Sequence, residues 1–573
     1  MVASDRRNRV GSGSRRSAAL LAVLAVVLGT QWMLVPSAGA AGYVPISGSG
    51  STWSQNALDQ WRRDVNNNYG ITVNYSPDGS TSGRNDFKTG QVDFAVSEIP
   101  YGLSDGGTLD TLPTRKFGYM PIVAGGTSFM YNLKIGGRRV TNLRLSGDTI
   151  TKIFTQQITN WSDPAIKADN PGLTLPALAI VPVVRSDGSG STAQFTAWMA
   201  SQYGGQWDAY CHRAGRNVTP CGFTSFYPVA NNSMVAKAQS QGVAGFVAQD
   251  ASEGAITYVE YSYALATNFP VVKVLNKANY YIEPTAGSVA VALLNARLHP
   301  DLTQDLSQVY VGTDPRTYPL SSYSYMILPK DLSSNFSLEK GATLSTFADY
   351  FLCQGQQEAA ALGYSPLPIN LVQDAVDQVN QIPGSTQKLN SNNLSGCHNP
   401  TVSPNGGNLV VQNAPQPSPC DRLGASTQCA TGTGGAQQST PTRGGSGGAG
   451  TAGAAGGGSG GGSGGAAAGG AGGTDGTAAG GANGTLAAGN SGSAATTGID
   501  PNTGQVIDGA TSAGGSSSSD VSAVPVSVDA ADNRRQMVLA ALAVVLVLGL
   551  IFVPPLVART MRNRAEPQEG PLR

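Results

Sequence analysis

Apolar and polar positions along residues 42–400 fall into two alternating periods. In the stretch TWSQNALDQWRRDVNN, Trp53, Ala57, Trp61 and Val65 recur every fourth residue and predict one buried helical face. STAQFTAWMASQY (191–203) predicts a second amphipathic helix. Between such segments lie short apolar runs with strand composition at 71–77, 92–98, 178–185, 256–265 and 323–330. Strands alternating with helices predict α/β sheets, with function placed at strand C-termini.

The periodicity fails beyond about residue 400. From about Ser403 to Asp529 the chain is mostly Gly, Ser, Ala and Thr, and most of its 74 glycines lie in the last third. So few apolar side chains do not offset the ordering entropy, which predicts a disordered linker over 401–536. Residues 537–558 are almost wholly apolar, long enough for a hydrocarbon core of about 30 Å. Arg559, Arg562 and Arg564 follow at once and favour a cytoplasmic tail at 559–573. At the other end, Arg6, Arg7, Arg9, Arg15 and Arg16 precede an apolar segment and the small residues Ala38-Gly39-Ala40. That order predicts an export signal over 1–40. The expectation is an exported head, residues 41–400, on a stalk with a single membrane anchor.

Charge adds little: Lys+Arg 36 balance Asp+Glu 36, so no basic field argues for nucleic acid. Six Cys in an exported chain point to disulfides. Nearest-neighbour pairing gives Cys211 with Cys221, Cys353 with Cys397 and Cys420 with Cys429, one of several connectivities. His212, His299 and His398 are scattered, and no tight Cys pair is present, so neither a metal centre nor a cofactor is expected.

The candidate chemistry lies in a repeated loop. GSGST occurs at 48–52 and again at 188–192, each time after an apolar run and before a helix-like stretch. Unpaired backbone N–H groups and the helix dipole make such a junction an anion site. Neither copy carries the Gly-Lys-Ser/Thr ending of a nucleotide-binding loop. A single copy is equally a plain helix cap, whereas two copies suggest two jaws on one small oxyanion. Arg185 stands at the mouth of the second loop, where its fork suits bidentate phosphate contact or a salt bridge with Asp187. DGSTSG (78–83) offers Ser80, and Glu98 ends the strand VDFAVSE. A carboxylate suits an anion pocket only when the anion carries a proton.

On these residues the head resembles the phosphate-binding component (PstS) of high-affinity phosphate ABC transporters, over about 43–385. SGSGSTW (47–53), DGSTSG (78–83), VDFAVSE (92–98), ITNWSDPAIKADNPGLTLP (158–176), VVRSDGSGST (183–192) and TYVEYSYA (257–264) carry the resemblance. It implies a two-lobed α/β clamp of the type II periplasmic-binding-protein kind, with lobe one about 43–130 and 323–400 and lobe two about 131–322. By resemblance phosphate is held by Thr52, the backbone N–H of Trp53, Ser80, Glu98, Arg185, Ser189, Gly190 and Ser191. The family usually has Asp where this sequence has Glu98, one methylene longer. At Arg84, where the family tends to have a smaller or apolar residue, the options are an added positive charge or a solvent-facing side chain. The implied role is delivery of inorganic phosphate to ABC permease subunits. An anchored sensing or binding module uncoupled from transport stands as the alternative. A phosphate-ester hydrolase is disfavoured, since no His neighbours a candidate Ser nucleophile in the sequence and no metal cluster is expected.

Overall fold

The computed structural model describes residues 42–436, apart from 232, 334, 387 and 404–406, together with two short paired strands at Gly498–Ile499 and Val506–Ile507. The main elements are β1 (Ile46–Gly50), α1 (Gln55–Tyr69), β2 (Val73–Ser76), α2 (Ser80–Thr89), β3 (Phe94–Ser97), β4 (Phe117–Tyr131), β5 (Val181–Arg185) and α3 (Gly190–Arg213). They continue with β6 (Val235–Lys237), α4 (Gln239–Val247), β7 (Ala255–Glu260), α5 (Tyr261–Ala266), β8 (Ser321–Pro329), α6 (Leu338–Cys353) and α7 (Ile369–Val379).

One mixed sheet runs in the order β6-β5-β7-β4-β8-β3-β1-β2. β1 is parallel to β2 and β3, and β5 is parallel to β6 and β7, so each lobe keeps a parallel core. The long strand β4 joins them. Its residues 117–126 pair antiparallel with β8, while 127–131 pair antiparallel with β7. The partner therefore changes between Gly126 and Thr127, a few residues before the boundary at 130 that the sequence suggests. A Cβ at Gly125 would stand 2.6 Å from the Trp53 ring, so the crossing strand is packed closely against the first loop.

The predicted helical stripe is buried as expected: Ala57, Trp61 and Val65 of α1 are inaccessible, and Trp61 stacks on Phe351 of α6 at 4.9 Å. Each such fully buried large side chain contributes about 1.5–3 kcal/mol. Gly70 ends α1 in the left-handed conformation, φ 68°. In lobe two Phe195 of α3 packs against Tyr258 of β7 at 5.0 Å. Residues 256–265 are not one strand. The buried Glu260 accepts a hydrogen bond from Ser262 N at 2.7 Å, caps the chain there and turns 261–266 into a helix.

The three disulfides are Cys211–Cys221, Cys353–Cys397 and Cys420–Cys429, the nearest-neighbour pairing. The last lies in a segment whose composition predicts disorder. That expectation is corrected for residues 407–436, which pack on lobe two through polar contacts. Lys273 Nζ meets Asp421 Oδ2 at 2.7 Å, Asn142 Nδ2 donates to Cys429 O at 2.6 Å, and Gly434 N donates to Glu283 Oε1 at 2.7 Å. The covalent loop and the paired charges order a stretch that has little apolar surface to bury. The head thus continues past residue 400 to 436. The expected export signal, the rest of the stalk apart from the paired strands at 498–499 and 506–507, and the apolar run 537–558 lie outside the described residues. Among the described residues no helix is long and apolar enough to cross a membrane.

Candidate functional site

Three helix N-termini and three strand ends converge where the lobes meet. From lobe one come the end of β1 with Ser51 and Thr52, the start of α2 with Ser80, and Glu98 just after β3. From lobe two come Arg185 at the end of β5, Ser189 to Ser191 at the start of α3, and Ser240 in the first turn of α4. Gly79 precedes α2 with φ 108°, a backbone state that favours glycine and turns the chain sharply from β2 into the helix.

Glu98 is the centre of one half. Its carboxylate accepts from Ser51 Oγ at 2.6 and 2.8 Å, Ser80 Oγ at 2.8 Å and Ser324 Oγ at 2.7 Å. The side chain is 1% exposed. Burial pushes its carboxyl above the usual glutamate range, and the three serine hydroxyls oppose that rise. Across the cleft Gly190 N donates to Ser80 Oγ at 3.1 Å. A Cβ at Gly190 would collide with Glu98 Oε2 and stand 2.6 Å from Ser80 Oγ, so glycine is what permits this approach. Gln194 Nε2 also reaches the Glu98 carbonyl at 2.9 Å.

Arg185 is the centre of the other half. Its Nε donates to Asp187 Oδ1 at 2.7 Å, its Nη2 pairs with Asp187 Oδ2, and its Nη1 donates to Ser240 Oγ at 3.1 Å. The salt bridge and the inward-facing guanidinium are therefore compatible: Asp187 fixes the fork while Nη1 points to the cleft. Thr52 Oγ1 lies 2.7 Å from the same Ser240 hydroxyl, and Tyr263 Oη donates to Thr52 O at 2.5 Å. Ser189 caps α3 by accepting from Thr192 N at 3.2 Å. The Ser191 hydroxyl is buried with no protein partner. The Trp53 N–H donates to Ser51 Oγ at 2.9 Å, so it supports the loop from within. All eight residues singled out in the sequence thus lie at or beside one closed interlobe cleft.

Ser51, Ser240, Ser324 and Tyr263 complete the arrangement and were not picked out in the sequence. Ser51 sits inside the first GSGST loop and was within reach of sequence reasoning. The other three are ordinary members of elements, and only the tertiary fold brings them here. Arg84 does not reach Glu98. It is buried behind α2, with Nε on Asp110 Oδ2 at 2.8 Å and Nη1 on Ser97 Oγ at 3.2 Å. Among the described residues no group of three His, Cys, Asp or Glu side chains is placed to hold a metal ion.

A family model described as a PBP superfamily domain matches residues 35–354. The chain is 32% identical over 338 residues to the phosphate-binding protein PstS of Xylella fastidiosa, covering 59% of this chain and 85% of that protein. The chain belongs to the PstS family of the PBP superfamily. Phosphate-binding protein PstS 2 of Mycobacterium tuberculosis, in the same family, is 29% identical over 343 residues, covering 58% of this chain and 86% of that protein. A crystal structure of a phosphate binding protein from Stenotrophomonas maltophilia superposes with a TM-score of 0.40 at 18% identity, over 58% of this chain and 93% of its own.

Proposed function

We propose that this PstS-family chain is an exported receptor that binds inorganic phosphate in the closed cleft and delivers it to an ABC permease. The observation that carries the reading is one buried carboxylate, Glu98, held by three serine O–H donors of lobe one, with the Gly190 N–H of lobe two reaching Ser80 beside it. A pocket of donors alone suits any oxyanion. A pocket that also contains an acceptor suits an oxyanion still bearing a proton. Thr52, Ser80, Arg185, Ser189, Gly190 and Ser191 contact the ligand in this reading, with Trp53 bracing the first loop.

The same proposal places the export signal at 1–40, the stalk at 437–536, the membrane span at 537–558 and the cytoplasmic tail at 559–573. Support comes from the apolar run with its flanking arginines. About 100 Gly- and Ser-rich residues have an r.m.s. reach of roughly 50–60 Å, which holds the head near a membrane-bound permease.

The full-length protein, stripped of ligand, is expected to bind one phosphate per chain with micromolar or tighter affinity. Titration calorimetry and thermal shift check this, and the absence of both signals on stripped protein would remove the proposal. Loss of high-affinity phosphate uptake in a deletion strain is the expected result if the receptor feeds a transporter.

A further inference from the structure

We propose that the hairpin Ser104–Leu109 is a latch on the closed cleft, with Asp105 at its tip holding Arg216 and Ser225 of lobe two. The inference rests on the phosphate-binding reading and concerns how long the closed state lasts. The hairpin pairs Ser104–Asp105 with Thr108–Leu109 around Gly106 and Gly107, both at positive φ. Its root belongs to lobe one. Gly102 N donates to Asp110 O at 2.8 Å, and the Asp110 carboxylate is gripped by Arg84 Nε at 2.8 Å and Lys88 Nζ at 2.9 Å. Both cations stand on α2, the helix that presents Ser80.

The tip of the hairpin reaches lobe two. Asp105 Oδ1 accepts from Arg216 Nη2 at 2.8 Å, while Oδ2 accepts from Ser225 N at 2.8 Å and Ser225 Oγ at 3.0 Å. Arg216 lies within the loop closed by Cys211–Cys221 and is steadied by Thr224 Oγ1 at 3.3 Å. Ser225 passes the grip on, because its carbonyl accepts from Ser189 N at 2.9 Å. Ser189 is the cap of α3. Thr81 of α2 adds two parallel contacts, Oγ1 to Ser225 Oγ at 3.1 Å and N to Gly188 O at 3.0 Å.

Asp105, Ser225 and Ser189 therefore form one line from the tip of a lobe-one hairpin to the second loop. Any opening of the lobes breaks it. Asp105 and Arg216 make no contact with Glu98, Arg185 or Thr52, so they contribute to lifetime and not to ligand choice. The ion pair is partly exposed, with side chains 23% and 18% accessible, and is accordingly sensitive to salt.

The test uses full-length Asp105→Ala and Arg216→Ala, with stopped-flow phosphate release and melting curves with and without phosphate. Release is expected to accelerate roughly tenfold in Asp105→Ala, since breaking charge-assisted bonds that span the cleft precedes escape. The association rate, the phosphate-to-sulfate preference and the ligand-free melting temperature stay at wild-type values, while the phosphate-bound melting temperature falls. Wild-type release quickens with salt, and Arg216→Ala loses most of that dependence. Asp105→Asn, which keeps an acceptor for Ser225 but no charge, gives an intermediate rate. Unchanged release in Asp105→Ala overturns the latch, as does an equal loss of melting temperature in the free and bound forms. A wild-type protein that does not bind phosphate removes the underlying functional reading instead.

Discussion

Arg185→Ala is expected to weaken phosphate binding by about 2–5 kcal/mol, the largest loss of any single side chain at the site. Arg185 is 2% exposed, and its Nη1 is directed at the Ser240 hydroxyl in the cleft. Its removal has a second cost. Asp187 would keep only the Gln239 N–H at 2.9 Å and would present a partly buried carboxylate beside the incoming anion. Thr52→Ala removes a neutral donor whose neighbours Ser240 and Arg185 remain, and is expected to lose about 0.5–2 kcal/mol. Calorimetry on the two variants checks the ranking. Equal losses would show that Arg185 is not the principal charge partner.

Glu98 is expected to give the protein its discrimination between oxyanions. An ionised carboxylate only accepts hydrogen bonds, and phosphate near neutral pH still has a proton to donate, whereas sulfate has none. Sites built around one specific hydrogen bond reject an analogue lacking it by about 10⁴–10⁵-fold. The extra methylene relative to the family's usual Asp does not turn the side chain away. Glu98 points into the cleft, held by Ser51, Ser80 and Ser324, while Arg84 is occupied by Asp110. Phosphate is therefore expected to be strongly preferred over sulfate, with arsenate little discriminated. In Glu98→Gln sulfate gains relative to phosphate, since the amide donates as well as accepts. Competition binding decides the matter, and an unchanged ratio in the variant would leave Glu98 without a part in selectivity.

The same residue sets a pH window. Burial raises the Glu98 carboxyl above the ordinary glutamate range. In the ligand-free protein its contribution to stability is thus complete below that range and is lost as pH rises through the raised value. Phosphate binding runs the other way, because Glu98 offers both oxygens as acceptors only when ionised, and its protonated form turns one of them into an O–H donor. Affinity is expected to fall on acidification from a higher pH than an ordinary glutamate would give, and to fall again when alkali strips the ligand's last proton. Glu98→Gln removes the acid limb, and calorimetry across pH reads both limbs.

Most of the site was legible in the sequence because its chemistry is local. A strand end, a few glycines and small hydroxyls before a helix carry their purpose within one loop, as at 48–52 and 188–192. Ser324, Ser240 and Tyr263 carry no such local mark. Ser324 lies within β8, and only the pairing of β8 with β3 brings it to Glu98. β4 was equally hidden, because a strand buried on both faces shows no alternation and Gly125-Gly126 interrupts its apolar run. At 256–265 the density of β-branched and aromatic residues imitates a strand, yet the Glu260 cap bends the chain. The segment 407–436 was misjudged for a different reason. Composition measures the apolar surface available for burial, and this segment is held by a disulfide, an ion pair and backbone acceptors.

In the proposed anchored arrangement that segment also decides where mechanical load enters the molecule. Tension arriving from beyond residue 436 first meets Gly435 on the Phe269 carbonyl, then Gly434 on Glu283 and Thr433 on the Thr141 carbonyl, all in lobe two. At Cys429 the covalent bond to Cys420 passes the load across the loop, next to Asp421, which is seated on Lys273 of lobe two. The strain ends in lobe two. Lobe one, with the three serines around Glu98, is left to swing without carrying the pull.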